Sequence, residues 1–246
     1  MSKLTNLKGR INYISSHARQ ENLYAVYETT DRKFWTELAK CNQEEFKKSG
    51  TEGKCIEARE LIIALPESFV DYEPDKLLKL FTEHFKQNYD VECIAALHHN
   101  KRKTNYHIHL IFSERKLLDD PVEKIATRNM FYDETGKHVR TKKEIRDEAG
   151  QLRSGCKIIP KGEVYERNIF TIKDSRFKSD SFLDEVKRSY IDLINIYVRD
   201  DKEKLKVFDK NGVYLPMKKV GKNNPKAEQI EADNRVRTMW NQTVDR

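Results

Sequence analysis

The sequence predicts an α+β fold, a central antiparallel sheet with helices packed on it. Three observations carry that prediction. Residues 31–48 and 73–88 repeat their apolar positions at the three-and-four spacing of a helix. Residues 55–65, 91–98 and 105–113 are apolar-rich runs of strand length. The last two are separated only by the basic stretch 100–104, a connection short enough to join antiparallel neighbours but too short for a crossover.

Taken in order, Ile11, Ile14 and Ala18 mark a first helix over about 10–20. Phe34, Trp35, Leu38, Ala39 and Phe46 form one stripe on a second helix over 31–48. The strand 55–65 is stopped by Pro66, which lacks the amide a ladder needs. Pro74 suits the first turn of a helix whose stripe is Leu77, Leu78, Phe81 and Phe85. The hairpin 91–98/105–113 follows. Further on, a long helix spans 179–200 and a shorter one follows Pro225. Between them Phe208–Tyr214 reads as a small hairpin around Asn211-Gly212. The expected division is a main domain over 1–226 and a C-terminal helical extension over 227–246, the start of a further segment.

Composition bounds the function. The 246 residues carry 47 Lys and Arg against 40 Asp and Glu, a net charge of +7. Eleven Phe and eleven Tyr can build a core, which excludes a disordered chain. No apolar run reaches the ~18 residues of a membrane span, and the N-terminus lacks a signal peptide. Cys41, Cys55, Cys93 and Cys156 are scattered, with no CxxC pair. Reduced thiols in a cytoplasmic protein are expected. The positive charge is concentrated in residues 137–178 and 204–226. Clustered Lys and Arg point to a polyanion, because phosphates reward them through counterion release.

Four of the seven histidines fall between positions 98 and 109. On the second hairpin strand Asn105, His107, His109 and Ser113 share one face, while Tyr106, Ile108, Leu110 and Phe112 share the other. Imidazoles two residues apart on a strand can converge on one ion. Strand parity makes His98 the third ligand, with His99 as the alternative. Three His with open positions is a catalytic rather than a structural arrangement. Ligand softness alone favours Zn, Fe, Ni or Cu over Mg.

The run Ala96-Leu97-His98 followed by Asn105 to Arg115 resembles the MobA/MobL family of plasmid relaxases, within the His-hydrophobic-His (HUH) endonucleases. Ile11-Asn12-Tyr13-Ile14 resembles the family's nucleophile segment, and Ala58 to Pro66 its strand before the long helix. Lys219 to Glu228 resembles the tail of its nuclease domain. The resemblance covers about residues 8–235, with these segments in the family's order. The family's histidine spacing points to His99, while the Ala-Leu-His match and parity point to His98, which is taken.

The resemblance implies a palm-like, ferredoxin-like core and nicking of one DNA strand at a plasmid origin of transfer. Tyr13 attacks a phosphodiester, leaving a 5′-phosphotyrosyl link and a free 3′-OH that can be rejoined. His98, His107 and His109 hold the ion, which the family draws from Mg²⁺ or Mn²⁺ despite the softness argument. Glu60 is a catalytic helper or a partner that orients a ligand histidine. The expected partners are single-stranded origin DNA and the accessory mobilisation proteins of a relaxosome. Lys218, Lys219 and Lys222 are expected to grip phosphates, with Phe131, Tyr132, Tyr165 and Phe170 stacking unpaired bases. Asn105 and Arg115 are expected to be loop-capping and surface residues. A rolling-circle replication initiator would share the chemistry but order its motifs differently. A metal-stabilised nucleic-acid-binding module would form no covalent adduct.

Overall fold

The computed structural model describes residues 1–207, 209, 211–221 and 223–245. The chain divides into two compact units, Met1–Ser179 and Asp180–Arg246. This division by compactness is distinct from the functional boundary expected at residue 226, which stays a proposal.

The first unit is built on one five-stranded sheet. Its strands are β1 (Ser2–Leu4), β2 (Leu23–Glu28), β3 (Ala58–Leu65), β4 (Cys93–His99) and β5 (Tyr106–Phe112), in the spatial order β1-β3-β5-β4-β2. Every pairing is antiparallel. The hairpin strands β4 and β5 are neighbours, as the short connection requires, and both lie in the interior of the sheet. All seven β4 residues are buried.

Helices cover both faces. Helix α1 (Leu7–Ile14) and helix α2 (Arg32–Ser49) lie on the face that holds Ile94, Ala96 and Ile111. Leu7, Ile11, Ile14, Phe34, Trp35 and Leu38 form one buried cluster with those residues. Helix α3 (Pro74–Tyr89) packs on β2 and β4. Its Phe85 ring meets Phe112 of the opposite sheet face at 4.8 Å between centroids. Asp31 caps α2 by accepting from the Phe34 amide, and Gly50, at φ 64, closes it in the left-handed region that suits glycine.

Several expected elements are corrected. The first helix runs over Leu7–Ile14 rather than 10–20. Ser15 ends it by turning its hydroxyl onto the Ile11 carbonyl, at 2.7 Å, so Ala18 lies beyond the helix. Tyr24 and Tyr27 belong to a strand, β2, with an irregularity in its register between Leu23 and Ala25. Residues 117–170, for which no element was expected, carry strands. Strands β6 (Leu117–Ile125) and β10 (Val164–Phe170) form an exposed ribbon. Strands β7 (Met130–Tyr132), β8 (His138–Val139) and β9 (Lys157–Ile159) form a small sheet ordered β8-β7-β9.

The second unit holds α4 (Asp180–Tyr197) and α5 (Ala227–Val244). Among the described residues of 208–214 there is a turn at Asn211-Gly212 but no strand, so the small hairpin is not formed there; Phe208 and Lys210 lie outside the described residues. Segments of extended chain are instead held by asparagines. Asn241 brackets the Leu215 backbone at 2.8 and 3.0 Å, and Asn234 brackets Lys218 at 2.8 Å on both sides. Among the described residues no helix is long and apolar enough to cross a membrane.

Candidate active site

Strand β5 sets His107 and His109 on one sheet face, and β4 sets His98 directly opposite His107 in the ladder. The His107 and His109 rings are 4.8 Å apart between centroids, and His98 is 5.9 and 5.0 Å from them. His99 pairs with Tyr106 on the other face. Its ring lies against Tyr106 at 4.9 Å and Tyr24 at 6.0 Å, and its Nε2 is 3.7 Å from Glu67. Parity thus gathers His98, not His99, with the His-x-His pair.

Each of the three rings is oriented by an oxygen. His98 Nε2 lies 2.8 Å from the Ile14 carbonyl, His107 Nδ1 3.0 Å from the Asn105 carbonyl, and His109 Nδ1 2.8 Å from Glu60 Oε1. A carbonyl or carboxylate only accepts, so the proton belongs on the ring nitrogen that meets it. The other nitrogen of each ring then carries a lone pair. His107 Nε2 and His109 Nε2 face each other at 3.1 Å. Two such lone pairs repel unless a cation lies between them. Nitrogens bound at ~2.1 Å to one ion stand about 3–3.5 Å apart, so this pair fits a shared ion. The His98 lone pair is on Nδ1, because its Nε2 is committed to α1. Among the described residues no group of three or more His, Cys, Asp or Glu side chains stands ready to hold a metal. It is the facing lone pairs of His107 and His109 that fit a cation, with His98 beside them as the third imidazole. Burial, with the nearby His109, pushes the His98 imidazole down to about 4, and burial also lowers His107. The His98 ring is therefore neutral at pH 7, as a ligand imidazole must be, and the direction at His107 favours the same form.

Glu60 is buried on β3, opposite Ile111 in the ladder, and is not a surface carboxylate. Arg10 Nε lies 3.0 Å from both its oxygens, and Arg10 Nη2 lies 2.7 Å from Oε1. Burial raises its carboxyl, but the hydrogen bonds from His109 and Arg10 and the charge on Arg10 outweigh burial and hold it below its ordinary value. Such a carboxylate is a weak base; its geometry is that of a residue orienting His109.

Helix α1 brings Tyr13 to the same side. Leu7, Ile11 and Ile14 are buried, whereas Tyr13 is 44% exposed and its ring has the Arg10 guanidinium 5.4 Å from its centroid. Arg10, Tyr13, His98, His107 and His109 line one cavity of about 760 Å³. Tyr24 and Tyr27 do not line it. The Tyr27 hydroxyl donates to Glu83 of α3 at 2.6 Å, a bond that with burial pushes it up to about 12.

Arg10 escaped the sequence reading, although it precedes Tyr13 by three, the spacing of helix neighbours. Glu57 was also missed. It accepts from the Leu7 amide at 2.7 Å and so anchors the first turn of α1. Arg115, expected at the surface, is buried and bonded to Asn42, Glu45 and the Thr171 carbonyl. Phe170 is core, with Phe34 at 5.3 Å, and does not stack bases. Lys218 pairs with Asp233 at 2.8 Å. Lys219 is exposed. Lys222 lies outside the described residues.

Comparison with curated proteins gives no match. The family model described as the MobA/MobL family matches residues 25–229. That span takes in Glu60 and all four clustered histidines and leaves out Arg10 and Tyr13. With most of its length matched, the chain belongs to the MobA/MobL family, the plasmid-mobilisation relaxases.

Proposed function

We propose that this relaxase nicks one strand of its origin of transfer by transesterification onto Tyr13. The observation that carries the reading is the single cavity lined by Tyr13, Arg10 and the three histidines. The Tyr13 oxygen attacks phosphorus in line, and the bond from phosphorus to the 3′ oxygen breaks. A phosphotyrosyl ester forms on the 5′ side, and the departing 3′ oxygen takes up a proton as the tyrosine gives one up. Attack by the 3′-OH reverses the step, because the ester conserves the bond. His107 and His109, with His98, would hold a divalent ion, Mg²⁺ or Mn²⁺. When bound, such an ion withdraws charge from the scissile phosphate and orients it. Glu60 keeps the His109 lone pair on Nε2, and Arg10 holds both Glu60 and the Tyr13 ring. The reading places the protein in the cytoplasm with plasmid DNA and the accessory proteins of a relaxosome.

The test is a denaturing gel after incubation with single strands tiling the transfer origin and Mn²⁺. An SDS-resistant protein–DNA adduct is expected, lost with EDTA and in Tyr13→Phe. Phenylalanine keeps the ring and deletes the attacking oxygen. An adduct that persists in Tyr13→Phe, with the phosphate mapped to another tyrosine, overturns the assignment.

A further inference from the structure

The β4–β5 connection displays three cations in succession, Lys101, Arg102 and Lys103, all exposed. Among the described residues no ion pair engages any of them, nor the nearby Arg19 and His17, whereas Lys218 pairs with Asp233. Lys101, Arg19 and His17 line the histidine cavity, where among the described lining residues the one carboxylate is that of Glu21.

The turn is a built feature. Asn100 Oδ1 accepts from the Thr104 amide at 2.8 Å, and its Nδ2 donates to Thr104 Oγ1 at 2.9 Å. Its carbonyl accepts from the Lys103 amide at 2.9 Å and from Asn22 Nδ2 at 3.0 Å. The last bond ties the turn to the loop that follows the helix of Tyr13. Lys103 sits at φ 51, in the left-handed region that a lysine enters at a conformational cost. Adjacent like charges repel, and among the described residues no ion pair compensates these.

We infer that the residue 101–103 turn is a phosphate-binding rim for single-stranded DNA, gripping the backbone next to the scissile phosphate. This rests on the nicking reading above and adds where the strand enters. A groove of unpaired cations running into a cleft is how proteins track a single-strand backbone without reading its sequence. Being fixed before binding, the turn loses little freedom when phosphates arrive.

The test compares wild type with the triple variant Lys101→Gln, Arg102→Gln, Lys103→Asn. Asparagine keeps the left-handed residue comfortable, so the turn survives. Binding of a fluorescein-labelled oligothymidine is titrated against salt in EDTA, where no adduct forms. Three lost phosphate contacts should reduce the slope of log K against log salt by about 2, at ~0.7 per contact. Melting temperature should be unchanged. A second arm uses the origin strand that forms the adduct, with single methylphosphonates placed along it. Neutral linkages beside the nick should weaken wild-type binding and leave the triple variant unaffected. An unchanged slope, or sensitivity confined to linkages remote from the nick, overturns the inference while the wild-type adduct upholds the nicking reading. Failure of wild type to form an adduct with any origin strand overturns that reading instead.

Discussion

Arg10 is the residue on which the site converges. Its fork spans both oxygens of Glu60, and its cationic face lies against Tyr13. Lysine carries the charge without the fork. Arg10→Lys should therefore slow adduct formation by at least about tenfold, a loss of the size seen when partners of ligand histidines are removed. Mn²⁺ affinity, measured by calorimetry without DNA, should fall alongside it; an Arg10→Lys protein with wild-type Mn²⁺ affinity and adduct rate would remove Arg10 from the site. Glu60 carries a pH signature. Its folded carboxyl lies below its ordinary value, so the unfolded chain binds that proton more readily. Its contribution to stability is complete above the unfolded carboxylate pKa of about 4.3 and is lost as pH falls through the lower folded value. Glu60→Gln should cost ~3 kcal/mol at pH 7, since it leaves Arg10 facing a neutral amide in a largely buried site. The gap between the two denaturation curves should narrow on acidification, and a constant gap would assign the cost to packing.

At the scale of one element, α1 is held by its first turn. Asn6 Oδ1 accepts from the Gly9 amide at 2.9 Å, and Glu57 accepts from Leu7. Gly9 is required by that cap: a Cβ there would meet Asn6 Nδ2 at 2.5 Å. Alanine in place of a helical glycine gains about 1 kcal/mol, and loss of an asparagine cap costs about 1 kcal/mol. In wild type Gly9→Ala should therefore leave stability nearly unchanged, because gain and loss offset. In an Asn6→Ala background the same change should stabilise by about 1 kcal/mol. Urea denaturation of the four proteins checks this, and equal effects in both backgrounds would separate the cap from the glycine. Glu57 lies behind both and couples β3 to the helix that carries Tyr13.

Across the whole molecule, the clustered histidines should link metal binding to stability. An ion that binds only the folded chain stabilises it by about 2.7 kcal/mol at a hundred times its Kd. Mn²⁺ should therefore raise the melting temperature of wild type and of His99→Ala. It should not do so for His107→Ala or His109→Ala, and His98→Ala should show a reduced shift. A shift lost in His99→Ala and kept in His98→Ala would reverse the choice between these two.

The sequence by itself determined the β4–β5 hairpin. A six-residue link between two apolar strands leaves little choice but an antiparallel hairpin, and period-two alternation then assigns every β5 side chain to a face. The His98, His107 and His109 grouping followed from that local geometry. Helices α2 and α3 were legible for the same reason, since their apolar stripes, and Pro74 in the first turn of α3, are written within single segments. Tertiary structure decided the rest. β1 is three residues long and exists because β3 offers it a ladder partner; the strands of the β8-β7-β9 sheet are two or three residues each. The burial of Glu60 was not legible because its partners, Arg10 and His109, are 50 and 49 residues away. Arg115 became buried because Asn42, Glu45 and Thr171 arrive from distant segments to satisfy its guanidinium. Periodicity reports how a segment meets its own neighbours. Whether a charge is buried depends on partners far along the chain, and those meet only in the folded sheet.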